Sequence, residues 1–212
     1  MSLAVDRYEL GPVGTNCYVV RASRDAREAV VIDPGADAPQ LRLDLARLGV
    51  SLAAILITHC HYDHIGAVAD LADATGVPVY VPVGEEQILA NADSIYGAFG
   101  IRVRPYGSAS TIDAGDDLAI ANIAFETIAV PGHSPGHVAY HVDGRLFSGD
   151  VLFAGGVGRV DLPGGDWETL LASIRGLVDR FAPETVVYPG HGAATTLGDE
   201  LRLNPFLTEL RV

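Results

Sequence analysis

Apolar and polar positions alternate in short runs along most of the chain. Residues 3–10 and 17–21 read as two strands joined by the turn-forming Gly11-Pro12-Val13-Gly14. Residues 29–32 form a short buried strand that stops at Asp33-Pro34-Gly35. The period then lengthens: Leu41, Leu45 and Leu48 share one helical face, with Asp37 as its start and Gly49 as its stop. A strand over residues 52–57 is followed by a helical segment over 65–75, closed by Gly76. Residues 77–83 read as another strand, and Pro78 and Pro82 predict an edge position because proline cannot donate to a ladder. A short helix over 85–90 leads into the least regular stretch, 91–110. There Ile95, Tyr96 and Phe99 either tuck a loop onto the core or line the mouth of a site. Strands follow at 117–121, 123–130 and 138–142, and Asp143-Gly144 predicts a hairpin into residues 145–148. A helix over 166–180 has Asp166 as cap and Leu170, Ile174, Leu177 and Phe181 on one face. A strand at 186–188 and a short helix at 197–203 complete an α/β pattern.

Composition narrows the class. A chain of 212 residues suits one domain, residues 1–212, and an apolar fraction of 49% with 19% charged residues is globular. The net charge of −13 argues for no nucleic acid partner, since such binding needs Lys and Arg to neutralise phosphates. No lysine is present, which excludes a Schiff-base or P-loop lysine and leaves any anion contact to arginine. Cys17 and Cys60 are the only cysteines, too few for a disulfide framework, and both read as buried spectators. Asp6, Arg7 and Glu9 interrupt what would be the apolar part of a signal peptide, and no apolar run approaches the roughly 20 residues that span a bilayer. A cytoplasmic protein with no membrane partner is expected.

The chemistry concentrates in Thr58–Gly66, THCHYDHIG. An extended chain throws His59 and His61 to one side, and the helix that follows carries Asp63 and His64 to the other. Imidazoles and a carboxylate are ligands for zinc, iron or manganese, and four within six residues point to two ions. More ligands come from elsewhere. His133 lies in VPGHSPGH and His191 in VVYPGHG, each after a strand-breaking Pro-Gly, and Asp150 ends SGD after a strand. Several strand ends delivering such residues place a site at one edge of the sheets. Asp33 reads either as a turn residue or as a carboxylate steadying a ligand histidine. His137 and His141 are assigned structural roles.

With HCHYDH, His133, Asp150 and His191 in this order, the sequence resembles the metallo-β-lactamase superfamily. The resemblance implies a four-layer αββα sandwich, with two mixed sheets face to face and helices outside. It also implies that His59, His61 and His133 hold one metal, that Asp63, His64 and His191 hold a second, and that Asp150 bridges them. It favours the steadying role for Asp33.

A pair of divalent ions, zinc or else iron or manganese, would share a hydroxide available near neutral pH for attack on a carbonyl that one ion polarises, with Asp63 orienting the nucleophile. No rival Ser-His-Asp elbow is visible. TNCYVV, IDPG, PGHSPGH, SGDVLF, GRVDLPGGD and LRLNPF look like the short bacterial glyoxalase II-like thioesterases, which implies hydrolysis of a small-molecule thioester such as S-lactoylglutathione. Asp150 counts against β-lactamases, which generally lack this carboxylate. Arg159 matches the family's basic residue for the thiol's carboxylate, but Asp161 stands where longer enzymes have a tyrosine. Those enzymes also carry a C-terminal helical domain with no counterpart here, which leaves glutathione and other small thiols both open. The alternative is persulfide dioxygenase, an oxidoreductase of the same fold using one Fe(II) held from among the equivalents of His59, His61, His133 and Asp150.

Overall fold

Alternate residues of the central strands enter different hydrophobic clusters. In β2 (Thr15–Arg21) Cys17 and Val19 join one cluster while Tyr18 and Val20 join another, and β3 (Glu28–Ile32) divides Val31 from Val30 and Ile32 in the same way. A sheet buried on both faces must be so, because its side chains alternate while neither face meets water. The structure, a computed structural model, describes residues 2–210.

The first sheet has the order β1 (Ala4–Leu10), β2, β3, β4 (Ser51–Leu56), β5 (Val79–Pro82) and β6 (Ser110–Ile112), antiparallel as far as β3 and parallel beyond it. Its outer face packs on α1 (Ala38–Leu48) through Leu41 and Leu45 and on α3 (Val68–Thr75) through Val68, Leu71 and Ala72. The second sheet comprises β7 (Asp117–Ile120), β8 (Ile123–Ala129), β9 (Val138–Val142), β10 (Arg145–Gly149), and, after the small β11 (Leu152–Phe153)–β12 (Gly156–Val157) ribbon, β13 (Val186–Pro189) and β14 (Thr195–Thr196). Its outer face meets α6 (Trp167–Arg180) through Leu170, Ile174 and Leu177, and α7 (Leu197–Leu203) through Leu197. Between the sheets Phe125, Tyr140 and Phe147 pack against Tyr18, Val30 and Leu56. Truncating such a ring to alanine costs about 3–5 kcal/mol. Helix, sheet, sheet, helix is the predicted sandwich.

Parallel pairing sets the position of the site. Ile32 lies beside Leu56 in β3 and β4, and Gly149 beside Pro189 in β10 and β13. The residues that follow all four strands, Asp33, Thr58-His59, Asp150 and Gly190-His191, therefore emerge at one edge. Two turns match their sequence chemistry: Asp143 and Gly144 take φ of 48° and 69°, as a two-residue hairpin turn requires, and Asp166 accepts the Thr169 N–H at 2.8 Å to cap α6.

Two expectations need correction. β5 is not an edge strand, because β6 pairs with it from Tyr80–Ser110 to Pro82–Ile112; its two prolines stand just before the strand and at its last residue, where a missing donor does little harm. Asp37 starts α1 as expected, its carbonyl accepting the Leu41 N–H at 3.0 Å, but its side chain makes no cap hydrogen bond. It takes a left-handed φ of 57°, and its carboxylate instead accepts the Gly11 N–H at 3.3 Å. The helix expected over 65–75 is two pieces, α2 (Tyr62–Ile65) and α3, because the chain turns at Gly66-Ala67, where Gly66 passes against the Gly35 carbonyl. The short helix before the irregular stretch forms as α4 (Glu86–Ala90), and within the stretch α5 (Ala92–Gly97) forms, with Tyr96 against the core and Phe99 exposed.

Candidate metal centre

Five of the seven histidines converge with two aspartates at this edge. His59 Nε2 lies 3.1 Å from His61 Nδ1, which lies 2.8 Å from His133 Nε2. His191 Nε2 lies 3.2 Å from Asp63 Oδ2, and His64 Nε2 lies 3.7 Å from that oxygen. Asp150 stands between the groups: Oδ2 is 3.6 Å from His133 and 3.5 Å from His191, and Oδ1 is 3.4 Å from His64. The ligand atoms fall into three trios, His59-His61-His133, His59-His64-Asp150 and Asp63-His64-His191, each within 4.8 Å.

Three of the rings are turned inward by a partner on the other nitrogen. His133 Nδ1 donates to the Arg159 carbonyl at 2.7 Å, His64 Nδ1 to Asp33 Oδ2 at 3.0 Å, and His59 Nδ1 lies 3.1 Å from the Thr58 hydroxyl. Asp33 also accepts the Thr58 N–H at 2.8 Å and hydroxyl at 2.7 Å, so it steadies His64 directly and His59 through Thr58. Such contacts fix the tautomer and raise the basicity of the inward nitrogen. Gly190 has to be small, since a Cβ there would stand 2.1 Å from Asp150 Oδ1.

The residues fit a metal pair. His64 Nε2 and Asp150 Oδ1 are buried, face each other, and make no hydrogen bond. Buried donors and acceptors are almost always satisfied, and a cation between them would satisfy both. Electrostatics point the same way. Burial, and then the neighbouring imidazoles, push His59 well below the ordinary histidine value and His61 down to about 4, so these rings are neutral ligands. Burial also lowers His133. In the other group the hydrogen bonds that His191 donates to Asp150 and Asp63 raise it to about 9. Burial opposes charge on His64, yet Asp150 and Asp33 outweigh it and raise its value. Burial alone would raise Asp63, but His191, His64 and Thr15 bring it down to about 2.

All seven residues read as ligands from the sequence are thus brought together. Arg159 is not free: its exposed guanidinium forks onto Asp161 at 2.6 and 2.7 Å, and its carbonyl is what touches the cluster. His141 lies apart on β9, 3.3 Å from Glu126. His137 is closer than its structural assignment suggests, buried and stacked on His59 at 4.3 Å with neither ring nitrogen bonded. Cys17 and Cys60 are free, buried thiols in the outer core of the first sheet. Sequence reading missed Thr15, whose hydroxyl donates to Asp63 Oδ2 at 2.7 Å, and Glu85. Neither carries a local signal, because each contact joins segments far apart in the chain.

The profile of the metallo-beta-lactamase superfamily matches residues 10–191, and the chain belongs to that family. Two relatives span nearly its whole length. It is 38% identical to the probable metallo-hydrolase YqgX of Bacillus subtilis over 95% of this chain and 96% of that one. It is 35% identical to the hydroxyacylglutathione hydrolase GloC of Haemophilus influenzae over 86% and 89%. Among solved structures, the BLEG-1 B3 metallo-beta-lactamase is 40% identical with a TM-score of 0.89, covering 97% of this chain and 100% of that one. TTHA1623 in a di-iron-bound form is 41% identical with a TM-score of 0.87, covering 96% and 100%. ETHE1 from Myxococcus xanthus is 28% identical with a TM-score of 0.78, covering 95% and 83%.

Proposed function

We propose that this metallo-hydrolase is a dinuclear thioesterase, cleaving S-lactoylglutathione or a related acyl-thiol. The observation that carries it is the placement of Asp150, one carboxylate facing both groups, with a buried unsatisfied oxygen opposite an unsatisfied imidazole. His59, His61 and His133 would hold one cation, Asp63, His64 and His191 the other, and Asp150 would contact both. Zinc suits these donors, as do iron and manganese. When bound, such a pair supplies a hydroxide nucleophile near neutral pH and a Lewis acid for the carbonyl.

The protein's own groups supply position and access. His59 and His64 are sealed from solvent, whereas His61, Asp63 and His191 are partly exposed, so substrate approaches from the His191–Asp63 side. There Thr15 fixes the Asp63 oxygen and leaves its carboxylate to orient the attacking water. A thiolate leaving group, with a parent pKa near 8.5, departs without a strong acid, and the cluster carries no carboxylic acid held neutral for that task. Arg159 would receive a carboxylate of the thiol in exchange for Asp161. The likeness to GloC supports this substrate class, and TTHA1623 supports two metals of the iron type. The net charge of −13 supports an enzyme of small molecules rather than of nucleic acid, and among the described residues no helix is long and apolar enough to cross a membrane.

The likeness to ETHE1 favours a second reading, the mononuclear Fe(II) persulfide dioxygenase. Metal-replete protein is assayed for thiol release from S-lactoylglutathione, for sulfite with oxygen uptake from glutathione persulfide, and, given BLEG-1, for β-lactam opening. Thiol release with about two metals per chain is the expected result. Sulfite formation with one iron would replace the thioesterase reading by the dioxygenase, and β-lactam opening alone would replace it by a lactamase.

A further inference from the structure

Cys60, between His59 and His61, is gripped through its peptide groups on both sides. Its N–H donates to Glu85 Oε2 at 3.0 Å, and its carbonyl accepts the Tyr96 hydroxyl. The other oxygen of Glu85 accepts the Ser134 hydroxyl at 2.6 Å and the Gly136 N–H at 3.1 Å. Ser134 follows His133 directly. One carboxylate thus joins the loop after β4, in the first sheet, to the loop between β8 and β9, in the second.

Glu85 is only 1% exposed and forms no ion pair among the described residues. A buried carboxylate is costly unless donors surround it, and here three do. The approach is built for it: a Cβ on Gly136 would stand 2.7 Å from Glu85 Cγ and 2.9 Å from the Val83 carbonyl, so only glycine lets that backbone reach the carboxylate. The neighbouring Glu86 shows the ordinary alternative, a carboxylate beside an exposed turn that accepts the nearby Gly84 N–H.

We propose that Glu85 is a positioning residue, setting the spacing of His59 and His61 from His133 and so the affinity of that trio for its cation. The inference rests on reading the trio as metal ligands. Glu85 touches none of the three side chains; it acts through the backbone and hydroxyl of the residues beside them. Its effect is selective, since Asp63, His64 and His191 are held instead by Thr15, Asp33 and Asp150.

The test uses the full chain, stripped of metal, with zinc as probe. Wild type and Glu85→Gln are titrated against a chromophoric chelator, and anomalous diffraction from crystals at limiting zinc gives the occupancy of each group. Glu85→Gln keeps the shape but turns a donor toward donors. The trio should lose about 10–100-fold in affinity, as outer contacts of metal ligands do, while the Asp63-His64-His191 group changes by less than about threefold. An equal loss at both groups, or unchanged affinities in a folded variant, overturns the proposal. Should Glu85→Gln not fold, Ser134→Ala removes one of the three donors, and a several-fold loss confined to the trio supports the proposal while wild-type partition overturns it. Wild type that takes no zinc at the trio overturns both this inference and the metal reading. Wild type that binds two zinc ions yet cleaves no thioester sinks only the proposed function.

Discussion

The two histidine groups share one edge of the sandwich and differ in charge. His59, His61 and His133 are imidazoles among imidazoles, and burial keeps them neutral. His64 and His191 lie among Asp33, Asp63 and Asp150 and hold protons that the carboxylates stabilise. A cation entering the first group meets free lone pairs. One entering the second must displace protons but gains two carboxylates. Donor number alone would make the groups equivalent; their surroundings make them distinct.

Removing the shared residue would break the comparison most severely. Asp150→Ala should cost about 10³-fold or more in kcat/KM, the scale seen when a group acting as part of a unit is deleted, and loosen both cations. Metal analysis beside turnover checks it, and full turnover would refute the bridging assignment. The next largest effect is in pH. A histidine raised to about 9 is protonated below that pH, so uptake at the second group should strengthen as pH rises from 7 to 9. The expected slope is about tenfold per unit for each displaced proton. The first group, with His61 at about 4, is already deprotonated and should be flat over that range. Zinc titrations at several pH values separate the two; parallel slopes would erase the distinction.

The same values bear on stability without metal. His61, lowered in the folded state, contributes stability that is present above pH 6.5 and lost as pH falls toward 4, whereas the His191 contribution is full below 6.5 and lost as pH rises through about 9. Asp33→Asn, which weakens the hold on His64 and Thr58, should lower zinc affinity about 10–100-fold, chiefly at the second group. Thr15→Val removes one hydrogen bond to a carboxylate and should cost about tenfold in kcat, with the melting temperature nearly unchanged. The smallest effect is expected at the rim: Asp161→Ala frees Arg159 and should lower KM for an anionic thioester by about two- to fivefold, exposed pairs being weak. An uncharged thioester should show no change.

Local features were legible in the order of residues alone. The two-residue alternation in residues 17–20 and 29–32 is the alternation that divides the sheet's two faces, and Asp143-Gly144 can hardly make anything but a tight hairpin. The spacing of His59, His61, Asp63 and His64 places four ligands together, because neighbours in sequence cannot be far apart in space. Long-range ligands were legible as types at strand ends, after Pro-Gly or Ser-Gly, and through family likeness. Their convergence was not, since it depends on the parallel registers of β3 with β4 and β10 with β13.

What only the tertiary structure decided is what acts between distant segments. Pro78 and Pro82 suggest an edge, but whether another strand lies alongside depends on where residues 110–112 settle. Glu85 and Glu86 are indistinguishable as letters, and one is buried against two loops while the other lies beside an exposed turn. Thr15 and Asp63 are 48 positions apart, and His137 shows its closeness to His59 only once the two sheets have packed. Periodicity and turn chemistry are written residue by residue, whereas a hydrogen bond across a sandwich depends on the sum of all the packing that sets its two ends in place.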